Sequence, residues 1–150
     1  MCQWFNSTFR QNIFSVFYMN INLINFLSKL KNASFSKHEL ISIDYNKLCF
    51  EVVCLLYKEG FIQSFSLNRV LTDSKFKLKI FICLRYAYNK SIFKNLKIIS
   101  TPSRVNFLNT KDLSKLSNKK VILVLSTNKG LLTSLECKKH TIGGKLLFAL

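Results

Sequence analysis

Serine, threonine and asparagine stand together in Ser126-Thr127-Asn128-Lys129-Gly130, directly after the apolar run Val121-Ile122-Leu123-Val124-Leu125. Such side chains present hydroxyl and amide donors and acceptors close to the backbone, and Gly130 allows that backbone to approach a partner. A second turn, Ile142-Gly143-Gly144, follows a short basic segment, and Lys129, Lys138, Lys139 and Lys145 lie on or beside the two turns. Together these groups can contact ribose hydroxyls, phosphates and unpaired base edges, with the lysines neutralising phosphate charge. The same residues also describe a polar β-turn with surface lysines, and periodicity alone divides the two readings evenly.

Catalytic chemistry has little to work with. The chain holds seven carboxylates and two histidines, with His38 and His140 far apart and Asp73, Asp112 and Glu136 scattered through its basic half. No paired-acid motif or phosphate-cradling glycine loop appears, so an enzyme is not expected. Cys2, Cys49, Cys54, Cys83 and Cys137 are odd in number and mostly embedded in apolar runs, as expected of reduced core residues in a non-secreted protein. Cys137 and His140 form one ligand-like pair, but tetrahedral zinc requires a second. No metal or cofactor is expected.

The charge is the strongest compositional signal. In 150 residues, 23 Lys and Arg oppose 7 Asp and Glu, for a net charge of +16, while 49% of residues are apolar and can form a core. Self-repulsion on this scale calls for a polyanion, either nucleic acid or an anionic membrane. Residues 20–60 are near neutral, whereas residues 61–150 carry 17 basic residues against three acids. A membrane-surface protein would set lysines opposite the broad apolar face of a helix. Here they are spread over strands and turns, so a basic peripheral membrane protein, or a general nucleic-acid binder, is the alternative reading. No membrane partner or small-molecule substrate is expected. The wealth of Lys, Phe, Ile and Asn beside only 4 Gly and 1 Pro points to an AT-biased genome, as in many organelles, and also explains why Lys outnumbers Arg.

The elements that position these groups follow from periodicity. Ile21, Ile24, Leu27 and Leu30 predict a helix face, 40–43 a short strand, and Leu48, Val52, Leu55 and Leu56 the inner face of a second helix stopped by Gly60. Residues 61–66 and 77–86 read as a strand pair around a loop at 68–74. Further along, 92–99 reads as a strand, 110–116 as a helical turn or two, 121–125 as a strand, 131–139 as a short helix, 143–144 as a turn and 145–150 as a last strand. The class is α+β in two small lobes: an amino-terminal helix-strand-helix-strand-strand lobe at 20–89 and a strand-rich carboxyl-terminal lobe with a short helix at 90–150. Residues 1–19 are too often interrupted by polar groups for a spanning helix and lack signal-peptide order, so they read as an extension.

The closing stretch VILVLSTNKGLLTSLECKKHTIGGKLLFAL resembles that of the bacterial-type small ribosomal subunit protein eight family, whose hallmark is Ser-Thr-Ser-x-Gly, a short basic helix, a Gly-Gly turn and a last strand. Ser126, Thr127, Gly130, Gly143 and Gly144 match. LSKLKNA at 27–33 is similar to the family's first-helix ending, LLYKEGFIQSF at 55–65 to its second helix and next strand, and Thr101-Pro102-Ser103-Arg104 to its Ser-x-Pro-Gly-x-Arg stretch. Asn128 replaces the second serine, Ser103 a glycine, and Phe107 a frequent tyrosine. The resemblance covers residues 20–150. It implies a primary rRNA-binding protein of the small subunit, holding a central-domain rRNA helix and touching the number five and number two proteins. RNA contact is then expected from Ser126 to Gly130, Lys138, Lys139, Gly143 to Lys145, Pro102, Ser103, Arg104, Lys29, Lys31 and Asn32. The loosened match and AT bias favour a mitochondrial location, with plastid as alternative.

Overall fold

The computed structural model describes residues 21–72, 75–87, 90–101, 103–116 and 121–150. Helix α1 covers 21–35 and buries Leu23, Phe26, Leu27 and Leu30. The face therefore differs from the one expected: Ile21 is exposed and Ile24 half-buried, because Phe26 and Leu27 together set the inward direction. Strand β1 (Leu40–Asp44) turns Ile41 and Ile43 inward. Helix α2 (Lys47–Lys58) begins where the Asn46 side chain accepts the Leu48 N–H at 3.0 Å, and buries Cys49, Val52, Val53, Leu55 and Leu56. Burial pushes the Cys49 thiol up to about 11. Gly60, at φ 79°, ends the helix as expected.

Strands β2 (Ile62–Thr72) and β3 (Lys75–Leu84) form an antiparallel hairpin, with β1 on the far side of β3. The loop expected at 68–74 is corrected: β2 continues to Thr72, since Leu67, Arg69 and Leu71 keep the alternation that pairs them with Ile80, Leu78 and Phe76. A small ribbon, β4 (Tyr86–Ala87) with β5 (Lys90–Ser91), follows. The single strand expected at 92–99 is a 3-10 turn at Ile92–Asn95 and a short β6 (Lys97–Ile98). Phe93 and Leu96 must both face the core, and a spacing of three suits a 3-10 turn rather than a strand.

The second sheet collects β7 (Asn106–Leu108), β8 (Leu123–Thr127), β9 (Gly130–Thr133) and β10 (Gly144–Ala149), with α3 (Thr110–Leu116) and α4 (Ser134–His140) against it. Its order is β6-β10-β8-β9, and β7 also pairs with β10. The helix expected from Leu131 starts three residues later because Thr133 caps it: the Thr133 hydroxyl accepts the Glu136 N–H, and the Glu136 carboxylate accepts the Thr133 N–H. Gly143 and Gly144 are not a left-handed turn, for neither has positive φ; that conformation falls on Thr141, at φ 54°. Gly144 already belongs to β10.

One core fills the space under α1, α2 and the first sheet and also takes in Phe93, Leu96, Val124, Leu147 and Phe148. A smaller one holds Leu113, Leu123, Leu125, Cys137, Leu146 and Ala149 between the second sheet and α3 and α4. Lys58 on α2 and Glu136 on α4 close the outside of the joint with an ion pair at 2.5 Å.

Two stability outcomes follow from this packing. A Cβ on Gly144 would stand 2.6 Å from the Ser126 carbonyl oxygen and 2.9 Å from Thr127 Cγ2, so Gly144→Ala should cost about 2 kcal/mol in urea unfolding. A loss below about 0.5 kcal/mol would mean that the strands part without strain. The hydrogen bond from Lys58 holds the Glu136 carboxyl below its ordinary value, so its contribution is complete above about pH 4.5 and fades as pH falls through the lowered value. Glu136→Gln keeps the helix cap but loses the charge. Its stability deficit at pH 7 should shrink by pH 3; a constant deficit would assign the effect to the cap.

Candidate nucleic-acid interface

Four strands build one row. Lys145 on β10 pairs with Phe107 on β7 and with Ser126 on β8, and Ser126 pairs in turn with Leu131 on β9. Directly paired residues share a face. Behind this row, Leu146, Leu125 and Leu132 form the next one and pack under the helices. The front row begins at Leu131, against the first core, and emerges through Ser126 and Lys145 to Phe107, which is 72% exposed.

Partial burial lowers the Lys145 ammonium below the ordinary lysine value. Among the described residues no carboxylate pairs with it. A desolvated cation beside a hydroxyl and an exposed aromatic ring is a site suited to an anion that also offers a flat or polar surface.

The β8–β9 turn stands at the end of this row. Asn128 and Lys129 form it, exposed, between the directly paired Thr127 and Gly130, and Gly130 at φ 102° holds a backbone conformation that favours glycine. The Thr127 hydroxyl accepts the Lys129 N–H at 3.2 Å and donates to the Gly130 carbonyl at 2.9 Å, so it shapes the turn. The Ser126 hydroxyl makes no hydrogen bond among the described residues. Gly143 and Gly144 bring β10 against Leu108 and Ser126; a Cβ on Gly143 would meet the Leu108 carbonyl oxygen at 2.7 Å. Lys138 and Lys139 are exposed on the last turn of α4, where cations suit the helix dipole.

Pro102 lies outside the described residues. Ser103 and Arg104 are exposed on a tight turn closed by Thr101 and Arg104, whose backbones exchange hydrogen bonds at 2.9 and 3.2 Å. The Ser100 hydroxyl anchors this turn by donating to the Leu146 carbonyl, which fixes it on the β7 edge of β10. Lys29, Lys31 and Asn32 are placed elsewhere. Lys29 donates to the Ser42 carbonyl at 2.7 Å and Lys31 to the Leu96 carbonyl at 3.1 Å, tying α1 to both halves of the molecule. Lys31 and Asn32 share a cleft with Lys97 at the far end of β10, about 17 Å along the strand from Gly144.

Sequence reasoning noted Phe107 only as a departure and did not place it beside Lys145. A three-residue strand leaves no periodicity, and the cross-strand register is not local. Cys137 is fully buried beneath α4, and desolvation raises its thiol, which assigns it to the core.

The ribosomal protein S8 family model matches residues 22–150. Among curated relatives, the small ribosomal subunit protein uS8m of Acanthamoeba castellanii is 38% identical over 83% of this chain and 94% of its own length. The uS8c protein of Bigelowiella natans is 32% identical over 88% of this chain and 99% of its own. The uS8 protein of Acholeplasma laidlawii (strain PG-8A) is 32% identical over 83% and 92%. With nearly the whole described fold inside that match, the chain belongs to the ribosomal protein S8 family.

Proposed function

We propose that this chain, a structural constituent of the small ribosomal subunit in an organelle, holds a central-domain helix of the small-subunit rRNA through the Phe107–Lys145–Ser126 row and the turns at its end. The observation that carries this reading is Lys145: a partly desolvated cation with no carboxylate partner among the described residues, between a hydroxyl and an exposed ring. A phosphate would restore what burial removes, Ser126 would bond a ribose or base edge, and Phe107 offers a stacking surface where a tyrosine would add an oxygen. The hydroxyl-to-amide change at Asn128 leaves a donor and an acceptor at the turn tip.

Around this reader, Lys129, Lys138, Lys139 and Arg104 supply the sequence-independent attraction to phosphates. Residues 90–150 thus form the rRNA-binding lobe and residues 20–89 support it. Lys31, Asn32 and Lys97 provide a separate phosphate contact at the far end of β10. Neighbouring proteins number five and two of the subunit are the expected protein partners. The organelle is the mitochondrion, supported by AT-biased composition and by the higher identity to the uS8m relative than to the uS8c relative.

Filter binding to a short central-domain rRNA helix tests the reader. Ser126→Ala should weaken specific binding about tenfold without moving the melting temperature, because its hydroxyl makes no hydrogen bond among the described residues. Ser126→Ala with Thr127→Ala should weaken it further by loosening the turn. Unchanged affinity in both would remove the turn from the interface. Lys138→Ala with Lys139→Ala should lower affinity for all RNAs alike and flatten the salt dependence; a full salt slope would place the charge contact elsewhere.

Lys145→Met separates binding from packing. Affinity should fall about tenfold while thermal stability holds or rises, since an unpaired, partly buried charge is lost. A drop in stability with unchanged affinity would make Lys145 a structural residue.

A further inference from the structure

The β2–β3 hairpin outgrows its support. β1 pairs with β3 only over Lys79–Cys83, and beyond that the hairpin continues as a two-stranded ribbon through Arg69↔Leu78, Val70↔Lys77 and Leu71↔Phe76. A bare two-stranded ribbon is marginal in water.

The ribbon has two unlike faces. Leu67, Arg69, Leu71, Phe76 and Leu78 continue the face that carries Ile80 into the core, while Asn68, Val70, Lys77 and Lys79 occupy the reverse. Exposure climbs along the first face from Ile80 at 0% through Leu78 at 37% and Leu67 at 40% to Leu71 at 63% and Phe76 at 75%. A contiguous run of large exposed apolar side chains marks an interaction surface. At its base, Phe65 lies against Tyr57 and Phe50 with ring centroids 5.4 and 5.9 Å away, so the apolar stripe is continuous with an aromatic cluster.

The kind of partner follows from the side chains. Leucine, phenylalanine and arginine without lysine is the composition of a protein–protein interface core. Phosphates and sugars leave leucines without partners, and the two lysines that would suit RNA point the other way. Arg69 stands cross-strand from Leu78, flanked by Leu67 and Leu71, with no hydrogen bond or ion pair among the described residues. Its complement is a carboxylate set in an apolar surface.

We propose that this face of the hairpin docks a neighbouring protein of the small subunit, which packs apolar side chains on Leu71 and Phe76 and sets an Asp or Glu against Arg69. The inference rests on the ribosomal reading above.

Photo-crosslinking in assembled small subunits tests it, with the full chain carrying Phe76→p-benzoylphenylalanine and adducts identified by mass spectrometry for protein and primer extension for RNA. The expected result is a chain that cosediments with the subunit and crosslinks to one neighbouring subunit protein. Arg69→Glu with Leu71→Ser should abolish that adduct, whereas Lys77→Ala with Lys79→Ala should keep it. A cosedimenting chain that crosslinks to rRNA, to its own residues 1–20 or to nothing overturns the docking face alone. Failure to cosediment overturns the ribosomal reading and the docking face together. Circular dichroism of both multiple variants, expected to match the parent because the altered positions lie outside the core, assigns a lost adduct to the surface rather than to unfolding.

Discussion

The second sheet depends on how closely three backbones approach at Gly143 and Gly144. Only hydrogen fits at these two positions, one facing the Leu108 carbonyl and the other the Ser126 carbonyl. Because strand side chains alternate, a slip of one residue in β10 would carry Leu146 outward and Lys145 into the smaller core. The glycines that allow the close approach therefore fix the register that separates the binding row from the buried row. Interface and core are set by the same steric condition.

That condition also explains the role of the amino-terminal half. Val124, Leu147 and Phe148 leave the second sheet to join the core beneath α1 and α2, where β10 shifts register against β8 between Leu146 and Phe148. Such an irregularity turns successive side chains toward different neighbours. β10 thus serves one core with Leu146 and the other with Leu147 and Phe148. The near-neutral half provides a rigid wall against which a strongly basic sheet is held despite its self-repulsion.

Elements with a long period or a distinctive stop were legible in the sequence. Helix α2 carries enough apolar turns to show its face, Gly60 marks its end, and the β-branched and aliphatic run 121–125 signals a strand, which the structure sets two residues later at Leu123–Thr127. A turn within 126–130 was evident from its residue types, but Ser126, Thr127 and Gly130 belong to the paired strands β8 and β9, and the hairpin was hidden because 131–139 reads as helix. Short elements were not legible: Asn106–Leu108 has three residues, and Phe93 with Leu96 gives a single spacing, too little to show a period. Gly143-Gly144 signals a turn by composition, yet it serves close packing, a distinction that depends on what lies across the sheet. The row of Phe107, Lys145 and Ser126 is set wholly by non-local pairing, so no local pattern could reveal it.

Charge type adds a last step. Lysine predominates over arginine, and in most described positions it stands exposed at the surface. Arg69 and Arg85 occupy different settings. Arg85 reaches back to donate to the Gly60 carbonyl at 3.3 Å, bracing the left-handed end of α2, and Arg69 sits within the apolar stripe of the hairpin. A guanidinium is less strongly hydrated than an ammonium and presents fixed donors, so it can be drawn against apolar or backbone surfaces at lower cost. These two arginines thus serve local geometry, as Lys29, Lys31 and Lys145 also do, while Arg104 and the exposed lysines supply the field. Local geometry and long-range attraction are thus separate tasks of the cations, and the net charge alone describes only the second.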